Sequence, residues 1–198
     1  MTLDQLRPHL GFILGPLTRL SIRAGLTPNS FSVMAFLASV AAGIAFFLGQ
    51  MAAAIALVSV NALFDALDGS IARELQLASP RGDFLDHVLD RYADIFIITG
   101  IFAGGQAPWI IGVFALTGVL MSSYLGTQAQ AVGIGRYYGG TLGRADRLLL
   151  IIVAGLLTLA LPAGYAGLSF LGWLLVVFGI FGHATAVQRF FYVWGKIR

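Results

Sequence analysis

Apolar positions fill six long stretches of this chain, separated by brief breaks that carry Gly and Pro. The stretches run from about Pro28 to Leu48, Met51 to Ala72, Gly82 to Phe102, Pro108 to Ala131, Arg144 to Leu161 and Tyr165 to Arg189. Each approaches the roughly 20 residues that a helix needs to cross the hydrocarbon core of a bilayer. The breaks fall at Gly49-Gln50, Ala78-Ser79-Pro80-Arg81, Gly104 to Pro108, Gly139-Gly140-Thr141 and Pro162-Ala163-Gly164, where backbone punctuation is expected. All connections are short, so neighbouring helices should run antiparallel, and no soluble second domain fits between them. Ahead of the first stretch, Leu6, Leu10, Ile13, Leu14, Leu17 and Leu20 recur at helical spacing among Asp4, Arg7, His9, Arg19 and Arg23. That pattern predicts an amphipathic helix lying in the membrane interface. The expected fold is therefore all-α integral membrane: an interfacial helix over residues 1–25 and six transmembrane helices over 26–198, together one domain.

Composition agrees with this. Of 198 residues, 58% are hydrophobic and 11% charged, against about 25% charged in a soluble domain. This excludes a disordered chain, a basic nucleic-acid-binding domain and an ordinary soluble enzyme. Cysteine is absent, which removes disulfides, thiolate metal sites and a cysteine nucleophile. The 12 basic residues carry more information by place than by number. With the amino terminus in the cytoplasm, all of them fall on or near that side, and the opposite loops carry none. Such asymmetry is the signature of positive-inside orientation. The nine acidic residues share the same side, so chemistry is expected at the cytoplasmic face of the cell membrane.

The segment Asn61 to Asp94 concentrates that chemistry. Asp65 and Asp68 are spaced i, i+3, and Asp86 and Asp90 are spaced i, i+4, so each pair shares a helix face. The turn through Ser79-Pro80 should bring the pairs together. Carboxylates at membrane depth are costly when unpaired, and they repel one another. A salt-bridge network with Arg73 and Arg91 is one remedy, but the carboxylates outnumber the nearby bases. A hard divalent cation is the better one, and an all-oxygen ligand set points to Mg²⁺ or Mn²⁺, with two ions balancing four carboxylates. Gly69 and Gly82 flank the cluster, where a missing side chain lets a ligand approach the backbone or lets helices pack closely. Asp94 continues the face and could orient Arg91. Asp83 suits a first helical turn. His87 reads as a packing residue, His183 as a satisfied polar group in an apolar helix, and Trp109, Trp173 and Trp194 suit interfacial belts. Gly100, Gly104, Gly112 and Gly118 offer close packing, including across a homodimer interface.

The order Asp65-x-x-Asp68-Gly69-x-x-Ala72-Arg73, eight residues, then Gly82-x-x-x-Asp86-x-x-x-Asp90 resembles the signature of the CDP-alcohol phosphotransferase (CDP-alcohol phosphatidyltransferase) family at every position. The Leu26-Thr27-Pro28-Asn29 lead-in is also similar, and the likeness extends over the whole chain. The resemblance implies a transferase of phospholipid biosynthesis that replaces the CMP of a CDP-linked lipid, CDP-diacylglycerol or CDP-archaeol, with a polar alcohol. It implies that Asp65, Asp68 and Asp86 ligate metal, and that Asp90 completes a two-metal site and acts as general base. It implies that Pro28, Asn29, Ser30, Phe31, Gly69, Ala72, Arg73, Ser79 and Gly82, with Asp65 and Asp68, face the CDP-lipid, and that the protein is a homodimer.

For the acceptor, Arg136, Arg144, Arg147 and Arg189 form a second basic group, and the segments Gly143 to Arg147 and Gln188-Arg189 resemble the places where phosphoinositol synthases of the family hold the phosphate of inositol phosphate. Clustered arginines suit a dianion. The segment after Ser123-Tyr124, basic in those synthases, is neutral here (Leu125 to Gln130). Glycerol phosphate, serine and free inositol therefore stand as alternative acceptors, with Tyr124, Thr127, Gln128 and Gln130 able to bond a polyol. A divalent-cation transporter is the reading from another class. It is disfavoured because arginines beside the carboxylates repel cations and because the carboxylates gather at one interface, away from the midplane where transporter sites lie.

Overall fold

The structure, a computed structural model, describes residues 7–77, 79–135, 137, 139, 140 and 142–197. Met1–Leu6, part of the expected interfacial helix, and Arg136, an expected acceptor contact, lie outside the described residues. Seven helices occur among the described residues: α1 (Arg7–Arg23), α2 (Pro28–Phe47), α3 (Met51–Glu74), α4 (Pro80–Ala103), α5 (Trp109–Ala131), α6 (Arg144–Ala160) and α7 (Phe170–Trp194).

Local chemistry sets their limits. Thr27 caps α2, accepting from Ser30 N at 3.3 Å with Pro28 in the first turn, and Ser79 caps α4, accepting from Gly82 N at 3.1 Å with Pro80 following. Both are the hydroxyl-then-proline arrangement that satisfies an orphan N–H and presets φ. The last helix departs most from its expected bounds. The last helix starts at Phe170, not near Tyr165, and runs on to Trp194, which places Arg189 inside it. Gly164, Ala166 and Gly167 all have positive φ, and Tyr165 and Leu168 exchange backbone bonds of 2.9 and 3.1 Å. A tight turn thus occupies the stretch that apolar composition had assigned to helix.

Four helices, α2, α3, α5 and α7, are long and apolar enough to cross a membrane. α6 has only 17 residues, and the first half of α4 carries Arg81, Asp83, Asp86, Asp90 and Arg91. The outer surface is rich in exposed apolar side chains such as Leu37, Ile44, Ile110, Leu156 and Ile180, as befits a membrane protein.

α2 packs on α3 and α4, α5 on α7, and α3 on α6. The core joins Ala42 and Phe46 of α2, Ile97 and Ile101 of α4, and Leu175 and Phe178 of α7. The glycines read as a homodimer surface are used inside the chain. A Cβ on Gly100 would fall on the backbone of Gly43, one on Gly104 on the carbonyl of Phe46, one on Gly112 on the Phe102 ring, and one on Gly118 beside Gly179 and His183. Small residues bring membrane helices into contact because lipid supplies no hydrophobic force between them. α1 rests on α3, with Thr18 fully buried and bonded to Ser70 Oγ at 3.0 Å. Leu14 and Leu17 join a second cluster around Phe31, Leu67 and Ile71, while Phe12 and Leu20 point outward.

Candidate active site

Only a short connection separates the end of α3 from the start of α4, and both helices pack on α2, so the carboxylates near the end of one meet those near the start of the other. One oxygen from each of Asp65, Asp68 and Asp86 lies within 4.8 Å of the others. A single Mg²⁺-like ion holds its oxygens at 2.0–2.1 Å, which puts opposite ligands about 4.2 Å apart. Small rotations of the side chains close that difference, and the donor set contains only hard oxygens, so these residues fit a divalent cation. Asp68 is 8% exposed and accepts a 2.9 Å hydrogen bond from Ser32 Oγ of α2.

Asp90 stands apart from that triad. Its Oδ1 lies 2.6 Å from Arg144 Nη1, and the same guanidinium nitrogen donates to Asp65. The cation paired with the cluster therefore comes from α6, where the sequence had suggested Arg73 or Arg91. Arg91 is 3.7 Å from Asp90 and 3.6 Å from Asp94, and it donates to Ser123 Oγ. Asp94, 5% exposed, accepts from Arg147 at 2.7 Å.

Two cavities flank the carboxylates. The first, about 710 Å³, lies between the beginnings of α2 and α4 and the end of α3. Of the residues expected at the CDP-lipid, Pro28, Asn29, Asp68, Gly69, Ala72, Ser79 and Gly82 line it, and Asp86 joins them. A Cβ on Gly82 would come 3.3 Å from Ser79 Oγ and 3.4 Å from Asn29 Oδ1, and one on Gly69 would come 3.2 Å from an Arg73 guanidinium nitrogen. These glycines keep the wall thin where Asn29 and Arg73 approach. Ser30, Phe31, Asp65 and Arg73 do not line this cavity: Asp65 is held by Arg144, and the Arg73 guanidinium lies beside Gly69. The Ser30 hydroxyl pairs with Thr27 at 2.9 Å, and Phe31, 4% exposed, packs edge-on against Phe64.

The second cavity, about 330 Å³, lies between α4, α5, α6 and α7. Asp90, Arg91, Arg144, Arg147 and Arg189 line it together with Ser123 and Thr127. Tyr124, Gln128 and Gln130 are exposed and do not line it. Arg189 is fixed by the backbone, donating from Nε to Gly139 O at 2.7 Å and from Nη1 to Ser122 O at 2.6 Å. The Nε atoms of Arg91, Arg144 and Arg147 are buried without a hydrogen-bond partner. Buried N–H donors left unmatched are costly, and four guanidiniums on one cavity wall suit an anion.

Sequence reasoning missed Ser32 and the place of Arg91. Ser32 sits one turn beyond Pro28, just past the lead-in already singled out, but its link to Asp68 spans 36 residues. Arg91 was read only as a neutraliser, although its position next to Asp90 turns it toward a neighbouring helix face. His183 is stacked on Phe114 at 4.8 Å, and its Nε2 lies 3.4 Å from Thr117 Oγ1, the polar partner expected of it.

The fold and site define a class: a helical membrane protein with a carboxylate cluster that fits a divalent cation, set between two cavities. The chain belongs to the CDP-alcohol phosphatidyltransferase family, whose model matches residues 25–184, and it is accordingly a transferase. It is 32% identical over 197 residues to the archaetidylinositol phosphate synthase of Methanothermobacter thermautotrophicus, covering 99% of this chain and 96% of that protein. It is 32% identical over 190 residues to the phosphatidylinositol phosphate synthase of Mycobacterium tuberculosis, covering 92% and 86%. The crystal structure of the Mycobacterium tuberculosis phosphatidylinositol phosphate synthase with CDP-DAG bound superimposes with a TM-score of 0.78 at 28% identity, over 92% of this chain and 94% of that one. The same enzyme in complex with manganese and citrate gives 0.78 at 27%, over 90% and 88%.

Proposed function

We propose that this protein transfers the phosphatidyl or archaetidyl group of a CDP-linked lipid to inositol phosphate and releases CMP. One observation carries the reading: the carboxylates stand between two cavities, one lined by Asn29, Gly69 and Ser79, the other by four arginines. The CDP moiety occupies the first, with Arg73 positioned to pair with a phosphate. The phosphate of the acceptor occupies the second, against the arginines that line it. Asp90 lines the arginine cavity, so it is placed to take the proton from the acceptor hydroxyl. The hydroxyl oxygen then forms its bond to the lipid-proximal phosphorus, the bond to the CMP oxygen breaks, and no covalent enzyme intermediate is required. Asp65, Asp68, Asp86 and Asp90 would hold Mg²⁺ or Mn²⁺, as two ions; when bound, these neutralise pyrophosphate charge and stabilise the leaving CMP.

The membrane arrangement belongs to the same reading. Helices α2 to α7 span the bilayer as one domain, α1 lies at the interface, and both cavities open on the cytoplasmic side of the cell membrane, in a homodimer. The chain lacks cysteine, so single cysteines at Gln76 and Gln106 report sidedness directly. Labelling of Gln106→Cys from the cytoplasm would refute the orientation.

The experiment that tests the function is an acceptor panel. Purified protein with labelled CDP-lipid and Mg²⁺ should release CMP with inositol phosphate. Release only with glycerol phosphate, serine or free inositol would reassign the acceptor, and release with none of them would overturn the reading.

A further inference from the structure

We infer that Asp94 is a positioning residue for the acceptor: it binds two arginines to one carboxylate oxygen and so builds the seat for the acceptor's phosphate. The inference rests on the reading of the arginine cavity as the acceptor site and deepens it.

Among the four arginines of that cavity, two are already committed. Arg144 is held by Asp65 and Asp90, and Arg189 by the carbonyls of Gly139 and Ser122. Arg91 and Arg147 remain, and both converge on Asp94 Oδ2, at 3.6 and 2.7 Å. Two guanidiniums repel each other, and without an anion between them they would separate. Asp94 is that anion. It is only 5% exposed, and Arg147 only 7%, so the arrangement is rigid and shielded from competing water. Ser123 holds the far side of Arg91, and Leu142 O accepts from Arg147 at 3.5 Å. With their outer nitrogens tied back, Arg91 and Arg147 each keep a buried Nε without a partner. Both guanidiniums line the cavity, and two cations fixed there match the charge of a phosphate monoester dianion. A neutral alcohol has no use for them. Asp94 therefore acts on specificity through the arginines, without touching the substrate.

The test compares Asp94→Asn with wild type in steady-state assays with CDP-lipid, Mg²⁺ and inositol phosphate. Loss of the orienting partner should raise the acceptor KM about tenfold or more, while the CDP-lipid KM stays within about twofold. Asp94→Glu, which keeps the charge, should recover part of the loss. Should Asp94→Asn fail to fold, Asp94→Glu, which keeps the charge but displaces it, carries the test alone and should raise the acceptor KM while the CDP-lipid KM holds. An unchanged acceptor KM in a folded variant overturns the inference, as does an equal rise in both KM values, the mark of a merely structural role. The wild-type arm separates the two levels. Turnover with glycerol phosphate moves the same comparison to that acceptor, whereas turnover only with an unphosphorylated alcohol overturns the reading of the cavity and this role with it.

Discussion

Arg144 of α6 and Asp90 of α4 meet at 2.6 Å, at the point where the carboxylate cluster adjoins the arginine cavity. The same guanidinium reaches Asp65 of α3, so one side chain ties three helices together at the centre of the site.

Arg144 and a divalent cation contend for the same oxygens. Arg144→Ala leaves Asp65 and Asp90 without their cation, and breaking a buried pair costs up to about 3–5 kcal/mol. In chelator the variant should melt well below wild type. Mn²⁺ should then raise its melting temperature by more than it raises that of wild type, since binding to the native state stabilises by mass action. Equal Mn²⁺ shifts in the two proteins would show that the guanidinium and the ion do not share ligands.

Asp90→Asn preserves shape but removes the proton acceptor. Turnover should fall by about 10²–10⁴, the usual worth of a positioned base, while retention of labelled CDP-lipid stays near that of wild type. Turnover close to wild type would assign the base elsewhere.

Ser32→Ala deletes the hydroxyl that donates to Asp68 at 2.9 Å. A hydrogen bond to a buried charge is worth about 1.5–3 kcal/mol, so catalytic efficiency toward CDP-lipid should drop roughly tenfold or more. Ser32 faces the first cavity and not the second, so the acceptor KM should hold. A defect confined to the acceptor would contradict this placement.

Gly100→Ala tests the contact between α2 and α4. Its Cβ would fall on the Gly43 backbone, and overpacking of this kind costs about 1–3 kcal/mol. Because α4 carries Asp86 and Asp90, the shift should also lower activity. Gly15→Ala in α1 meets open space and should be neutral or stabilising by up to about 1 kcal/mol. Thermal melts and turnover of both variants decide the matter; a Gly100→Ala protein as stable as wild type would mean that the helices can part freely.

Much of this molecule is written in short-range pattern. Helix limits follow from Thr27-Pro28, Ser79-Pro80 and the glycine breaks, because caps and turns depend on residues a few positions apart. The pairs Asp65/Asp68 and Asp86/Asp90 follow from helical periodicity, and the turn between α3 and α4 is short enough that their meeting could be expected. The tight turn at Tyr165 to Leu168 escaped detection because its residues are apolar and its cause is backbone conformation.

Partner choice among charged groups could not be read in the same way. Asp68 draws on Ser32, 36 residues away, Asp94 on Arg147, 53 away, and Asp65 on Arg144, 79 away. Periodicity places a side chain on a face but is silent about which helix covers that face. Here the crossing of α2 over α3 and α4, made close by Gly43 and Gly100, and the seating of α6 beside α3 settle the matter. Such contacts arise from packing between distant segments, and so the carboxylate signature was legible along the chain while the division of the arginines between cluster, backbone and cavity emerged only on folding.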